Sequence, residues 1–335
     1  MPELPEVQTT VNGLQKHIVG LKIRGVWTSY NSSYFKGSET IKDPLYFKKF
    51  KKEIIGRKVI TVSRRAKNVL IYLSSKTVGQ AGKFGDKNFK KIILVHMKMT
   101  GHLLYGTYKF NARNKNDPWE AVESKTLQDP YNKHVRFLIS FSNNKHLALS
   151  DVRKFAKVTL IDGHDHHLSD HLKNIGPEPL EKSFNLEKFS ARINLKLNGK
   201  IKQVLMDQSV VAGIGNIYAD ESLWRAGIHP LERVKNIKHQ QLEDLFSAIQ
   251  TTLSKGIDFG GDSTSDYRNV LGNKGKFHET HHAYQRTGDK CDKKNCGGTI
   301  VRIIIGSRST HYCNKHQKIK FSLVQNPKKK NSSGN

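Results

Sequence analysis

Residues 135–141 read VRFLISF, with Val135, Phe137, Ile139 and Phe141 at every second position. Period two is the mark of a strand with one face in a core. The same pattern lies to either side: Val59–Val62, Val69–Leu73, Ile92–Val95, the pair Leu147 and Leu149, and Val158–Leu160. Many short strands at modest spacing between Lys22 and Asp162 predict a sandwich or barrel. One stretch, 107–134, holds no sustained period and reads as a surface insertion between two strands.

Outward from this region the period becomes helical. Val7, Val11, Leu14 and Ile18 form one stripe, with Pro5 in the first turn, where proline is tolerated. The two prolines of IGPEPLEKS (175–183) mark the exit from the strands. Beyond them Ile201, Val204 and Leu205 share a short helical face, and Leu242, Leu245, Phe246, Ile249 and Leu253 a longer one. A Gly-rich polar loop follows at 256–277, and the tail NPKKKNSSGN reads as disordered. There is no internal repeat.

Lysine and arginine number 57 against 29 acidic residues, a net charge of +28, which favours a polyanionic partner. Nothing resembles a signal peptide or membrane span, so an intracellular protein is expected. The three cysteines cluster in CDKKNCGGTIVRIIIGSRSTHYCNKH (291–316) and cannot all pair with one another. C-x4-C followed by C-x2-H suits one tetrahedral zinc held by Cys291, Cys296, Cys313 and His316. The strands Val301–Ile305 and Thr310–Tyr312 are expected to form a hairpin turning at Gly306-Ser307, with Arg308 near the tip aimed at a DNA groove. His278, His281, His282 and His311 read as surface histidines near a polyanion site.

Several patterns then occur in one order: MPELPEV (1–7), RRAKN (64–68), HMKMTG (96–101), IGPEPL (175–180), DQSVVAGIGNIYADESLWRAGIHP (207–230), GGDSTSDYRN (260–269) and the finger. From Met1 to about Lys320 the ordered set closely resembles the formamidopyrimidine-DNA glycosylase branch of the family that also contains endonuclease VIII. The resemblance implies an α+β multidomain fold: an N-terminal β-sandwich domain (1–174), a linker (175–182), a helix-two-turn-helix domain with a lesion-capping loop (183–283), a β-hairpin zinc finger (284–320) and a basic tail (321–335). It implies double-stranded DNA with oxidised bases or abasic sites as partner, association with DNA inside the cell, no membrane and a monomeric state.

Roles follow by the same resemblance. Pro2, once Met1 is removed, is the nucleophile at deoxyribose C1′. An α-amino group has a reference pKa of only ~7.7–8.0, and a secondary amine yields a permanently cationic iminium. Glu3 serves as acid and base, Glu6 supports the amine, and Lys67 and Arg308 complete the catalytic set. Met99, Arg153 and Phe155 fill the void left by an extruded base. Asn216 and His96 belong to the DNA-binding set, and Glu178 and Tyr267 to the lesion pocket. The chain departs from the family in C-x4-C for C-x2-C, in His316 for a fourth cysteine, in Lys154 for a second arginine, and in the 107–134 insertion. The alternatives are an endonuclease VIII-like enzyme acting on oxidised pyrimidines and a non-catalytic damage-binding protein. Leu4 and the Met99–Arg153–Phe155 set argue against the first, and the set Pro2, Glu3, Glu6 and Lys67 against the second.

Overall fold

The structure is a computed structural model that describes residues 1–75, 89–163 and 169–319; the 321–335 tail lies outside them. Helix α1 (Leu4–Ile18) precedes strand β1 (Ile23–Thr28), and α2 (Pro44–Ile54) leads into β2 (Val59–Arg65), β3 (Asn68–Ser74), β4 (Phe89–His96) and β5 (His102–Gly106). After a small hairpin, β6 (Tyr108–Phe110) and β7 (Trp119–Ala121), come β8 (Val135–Phe141), β9 (His146–Ser150) and β10 (Lys157–Asp162). Two antiparallel four-stranded sheets result, ordered β1-β8-β9-β5 and β10-β4-β3-β2. Their facing sides bury Phe137, Ile139, Phe141, Leu147 and Leu149 against Val62, Val69, Ile71, Ile93 and Val95, and Val11, Leu14 and Ile18 of α1 join the same core. This is the expected sandwich.

Helix α2 went unread, although the sequence marks it. Asp43 accepts a hydrogen bond from the Leu45 backbone N–H at 2.9 Å, capping the helix ahead of Pro44. Phe50 and Ile54, four residues apart, are its buried face.

The alternation in 135–141 is interrupted. A bulge lies between Val135 and Phe137 in the pairing with β9, so Val135 turns to the outer face with Leu138. That outer face is also apolar, and the insertion is what covers it: Tyr108 and Leu127 pack there with Leu104, Val135, Leu138 and Ala148, flanked by Trp27 and Trp119. The 107–134 segment does run between two strands, as expected, but it carries a hairpin and a second core rather than a bare surface loop. Its three-residue strands are too short to show a period.

The helices α3 (Leu186–Asn194), α4 (Ile201–Met206), α5 (Asn216–Ala226) and α6 (His239–Asp258) build a separate core around Phe189, Leu205, Leu223, Leu245 and Leu253. Leu4 is buried in this second core while Val7 sits in the first, so α1 is shared between the domains. The finger strands β11 (Ile300–Ile305) and β12 (Arg308–Cys313) turn at Gly306 and Ser307, with φ of 52° and 61°, the positive values of a tight hairpin turn. No helix among the described residues is long and apolar enough to cross a membrane.

If the insertion is structural, Leu127→Ala removes side-chain volume from a buried site and should cost about 2–4 kcal/mol. Urea unfolding measures this, and a loss below about 0.5 kcal/mol would mark the segment as a surface ornament.

Candidate active site at the domain junction

The N-terminus is held by a mutual cap. The Glu3 backbone N–H donates to Glu6 Oε2 at 2.7 Å, and Glu3 precedes the first turn of α1. The Glu3 carboxylate also reaches the start of α5, accepting from the Ile217 N–H at 3.1 Å and the Tyr218 N–H at 3.4 Å. A helix N-terminus favours an anion, so this buried carboxylate has a charge-complementary seat.

Two glycines make the seat accessible. A Cβ on Gly215 would lie 2.3 Å from Glu3 Cδ, and one on Gly213, at φ 83°, would lie 2.7 Å from Leu4 Cβ. The Gly213 carbonyl also accepts from the Leu4 N–H at 3.0 Å. The GIG of the sequence is therefore the socket into which Pro2-Glu3-Leu4 is pressed, and Pro2 itself is buried. With Met1 attached, the Pro2 nitrogen is an amide and carries no nucleophilic lone pair.

Glu6 is fully enclosed. Its Oε1 accepts from the Tyr218 hydroxyl and from the Asp262 N–H, both at 2.7 Å, and the Tyr267 hydroxyl donates to its backbone carbonyl at 3.1 Å. Burial, reinforced by the Glu3 charge, pushes the Glu6 carboxyl up to about 7 despite these donors. Lys67 occupies the turn between β2 and β3 and is also buried; burial lowers its ammonium, the charges of Glu3 and Glu6 oppose that shift, and Arg308 adds to it. Arg308, on the exposed end of the finger hairpin, thus lies within electrostatic reach of the same group. A carboxyl group of raised proton affinity at Glu6, the Glu3 carboxylate beside it and a lowered lysine form an assembly able to move protons near neutral pH.

Glu178 anchors the Lys67 turn. Its carboxylate takes Arg64 Nη1 at 2.5 Å, Arg65 Nη1 at 2.9 Å and the Ala66 N–H at 2.6 Å. Tyr267 bonds Glu6, and so both residues assigned to the lesion pocket contact Glu6 or the turn that carries Lys67. His96 closes β4 beside Asn68, accepts from the Lys98 N–H at 3.0 Å, and is pushed down to about 3 by burial and by Lys98 and Lys67, leaving a neutral ring.

Met99 and the pair Arg153 and Phe155 sit on adjoining turns. The Thr100 hydroxyl donates to Asp151 at 2.6 Å and accepts from the Arg153 N–H at 3.3 Å, tying the turns together. The Arg153 guanidinium lies 4.5 Å from the Phe155 ring centre, and Phe155 is 48% exposed. An exposed phenylalanine under an arginine is poorly explained by packing and suits a wedge. Asp151, fully buried, also accepts from the Tyr30 hydroxyl and the Ala156 N–H. Sequence reasoning passed over it inside LSDVRKF.

Asn216 opens α5 and donates its amide to the Ser309 carbonyl at 3.0 Å, next to Arg308. Asp220, also buried, binds Lys202 Nζ at 2.5 Å and the His311 N–H at 2.9 Å, which seats the finger strand on α5. Two of the four histidines are thus not surface residues. His311 is buried over Asp220, and His281 is buried with its Nε2 2.7 Å from Asp262 Oδ2. Their partners lie 91 and 19 positions away in the chain, where no local pattern could reveal them.

The ligand atoms of Cys291, Cys296, Cys313 and His316 lie within 4.8 Å of one another. Sγ of Cys296 is 3.5 Å from Sγ of Cys313 and 3.4 Å from Nδ1 of His316, and Cys291 Sγ is 3.5 Å from that Nδ1. A tetrahedron with metal–sulfur bonds of ~2.3 Å has edges of roughly 3.8 Å, so the cluster has the dimensions of a four-coordinate metal site. His316 Nε2 faces the Trp224 carbonyl at 3.0 Å, which holds its proton there and leaves Nδ1 for the metal. A Cβ on Gly298 would meet Cys313 Sγ at 2.5 Å, so that glycine lets the longer first knuckle close.

The Glu6 shift carries a stability sign. In the unfolded chain Glu6 ionises near 4.5, while in the fold it holds its proton up to about 7. Its contribution therefore declines as pH rises from about 4.5 to about 7 and stays lost above. Glu6→Gln should narrow the difference in melting temperature between pH 5 and pH 8; an unaltered difference would place Glu6 among ordinary carboxylates.

Comparisons agree with this geometry. Residues 1–158 match the model of the formamidopyrimidine-DNA glycosylase N-terminal domain, and residues 175–268 that of the formamidopyrimidine-DNA glycosylase H2TH domain. A formamidopyrimidine-DNA glycosylase of Herpetosiphon aurantiacus is 33% identical over 316 residues, 93% of this chain and 98% of its own. A mutant Lactococcus lactis Fpg bound to Fapy-dG-containing DNA superposes with a TM-score of 0.73 at 31% identity, covering 93% of this chain and 98% of its own. MutM bound to DNA with carbocyclic 8-oxo-G gives 0.72 at 30% identity, with coverage of 93% and 98%. With both domains matched in order and the N-terminal carboxylates seated on the second of them, this chain belongs to the formamidopyrimidine-DNA glycosylase family.

Proposed function

We propose that the protein is a bifunctional DNA glycosylase and abasic-site lyase of base excision repair, acting on oxidised purines such as 8-oxoguanine and formamidopyrimidines in double-stranded DNA. The observation that carries the reading is the burial of Glu3 and Glu6 with Lys67 around the N-terminal segment. Burying three ionisable groups costs stability, and no packing requirement explains it.

In this mechanism the free Pro2 amine attacks C1′ and the base departs with the glycosidic electrons. Glu3 takes the proton that the attacking amine loses and passes it to the ribose ring oxygen as the ring opens, leaving an iminium between Pro2 and C1′. The iminium accepts electrons as a proton leaves C2′ and the 3′ phosphate departs, and a further elimination releases the 5′ phosphate. Glu6, with its raised proton affinity, steadies the amine. Lys67 and Arg308 hold the flanking phosphates, while Met99, Arg153 and Phe155 occupy the emptied stack and Asn216 grips the backbone. The protein works wherever its DNA substrate resides.

Borohydride should trap the protein covalently on 8-oxoguanine duplex, and Pro2→Gly should abolish most of that adduct. Equal trapping by the variant would remove Pro2 from the role of nucleophile. Against thymine glycol, base release should be slower than against 8-oxoguanine paired with cytosine.

Zinc is the metal we assign to Cys291, Cys296, Cys313 and His316, on the thiolate-rich donor set and its tetrahedral size. It supplies structure only, holding the hairpin that presents Arg308. Metal analysis should give one zinc per chain, and its removal by chelation should weaken DNA binding; well under one ion per chain would overturn the assignment.

A further inference from the structure

The resemblance reads 260–280 as a mobile cover and 107–134 as foreign to the family pattern, yet in this chain the cover is moored at 260–276 and 107–134 is its mooring post. Arg268, 1% exposed, sets its guanidinium against the Asp129 carboxylate, with Nε and Nη2 at 3.3 and 3.4 Å, and over the Tyr131 ring at 4.7 Å. The Thr126 hydroxyl donates to the Leu271 carbonyl at 2.8 Å. Gly272, at φ 83°, lies so close that a Cβ there would meet the Thr126 carbonyl oxygen at 2.5 Å. Alongside, the Tyr105 N–H donates to the Val270 carbonyl at 2.6 Å. The post itself is braced: Asn132 donates to the Thr126 carbonyl and meets His102 Nε2, both at 2.8 Å.

The other end of the loop is fastened to the catalytic carboxylate, through the Asp262 N–H on Glu6 and the Tyr267 hydroxyl on the Glu6 carbonyl. Between these anchorages Thr264 and Ser265 form an exposed arch. We propose that the 107–134 insertion is a dock that pre-sets the 260–276 loop for reading the damaged base, so that base release depends on it and cleavage at an existing abasic site does not. The inference rests on the proposed function. Its physical ground is preorganisation: a loop already ordered has less conformational freedom to lose when it closes on a base. An abasic site offers no base to cover, so the strand-cleaving step gains nothing from the dock.

Two conservative changes isolate the contacts. Thr126→Val deletes the hydroxyl that binds Leu271. Asp129→Asn keeps the oxygen that accepts from the Tyr131 N–H at 2.9 Å but removes the charge facing Arg268. The double variant of the full chain should release 8-oxoguanine at least fivefold more slowly in single turnover, cut a preformed abasic-site duplex within twofold of the unaltered rate, and show faster amide exchange at 268–272 without DNA. Parallel loss in both reactions, no loss in either, or unchanged exchange would overturn the dock. An unaltered protein that neither releases the base nor cuts the abasic site would instead overturn the proposed function.

Discussion

The seating of the Glu3 carboxylate on the first turn of α5 is the contact on which the other features turn. It joins the outermost residues of the sandwich domain to the helical domain, and it works only because Gly215 offers no side chain where Glu3 must lie. A helix N-terminus offers a buried carboxylate the donors that water would otherwise supply. The dipole of α5 and two backbone donors supply the seat, while Glu6, one turn later, meets Tyr218 and the Asp262 N–H and is pushed upward. Two carboxyl groups three residues apart in sequence thereby sit in different surroundings, one on a helix N-terminus and the other enclosed by side chains.

The surroundings of this contact are arranged to keep it in place. Glu178, from the segment between the domains, draws Arg64, Arg65 and the Ala66 N–H together and so fixes the turn that carries Lys67. Asn216 and Asp220, on the helix that receives Glu3, hold the finger strand beside Arg308. One helix thus registers the N-terminus and the finger against each other, with buried Lys202 neutralising Asp220 at its centre. A buried ion pair of this type contributes little net stability but strongly penalises any misplacement of its partners. Position, more than stability, is what the pair provides.

Period and spacing carried a large part of the architecture. The alternation at 59–62, 69–73, 92–95 and 147–149 lies in true strands, and the cysteine and histidine spacing brought four ligand atoms together. The stripe of α1 is buried as read, and Gly306-Ser307 is the finger turn. The strands at 23–28 and 102–106 and the helix at 44–54 were missed, the helix despite the Asp43-Pro44 start signal. The insertion gave no period because its strands are three residues long and its buried residues answer to the outer face of another strand.

The residues of the chain determined by themselves which local elements form, where the metal ligands stand and which side chains are chemically capable, because these depend on short-range periodicity and side-chain chemistry. Only the tertiary structure decided that His281 and His311 are buried on carboxylates, that Glu178 and Tyr267 brace Lys67 and Glu6, and that the insertion holds the loop at 260–276. Burial and dielectric are properties of atoms brought together from distant positions, such as Glu6 beside Asp262 or Thr126 beside Leu271. A linear pattern names the charged group, and the fold sets the solvent, partners and helix ends that tune it.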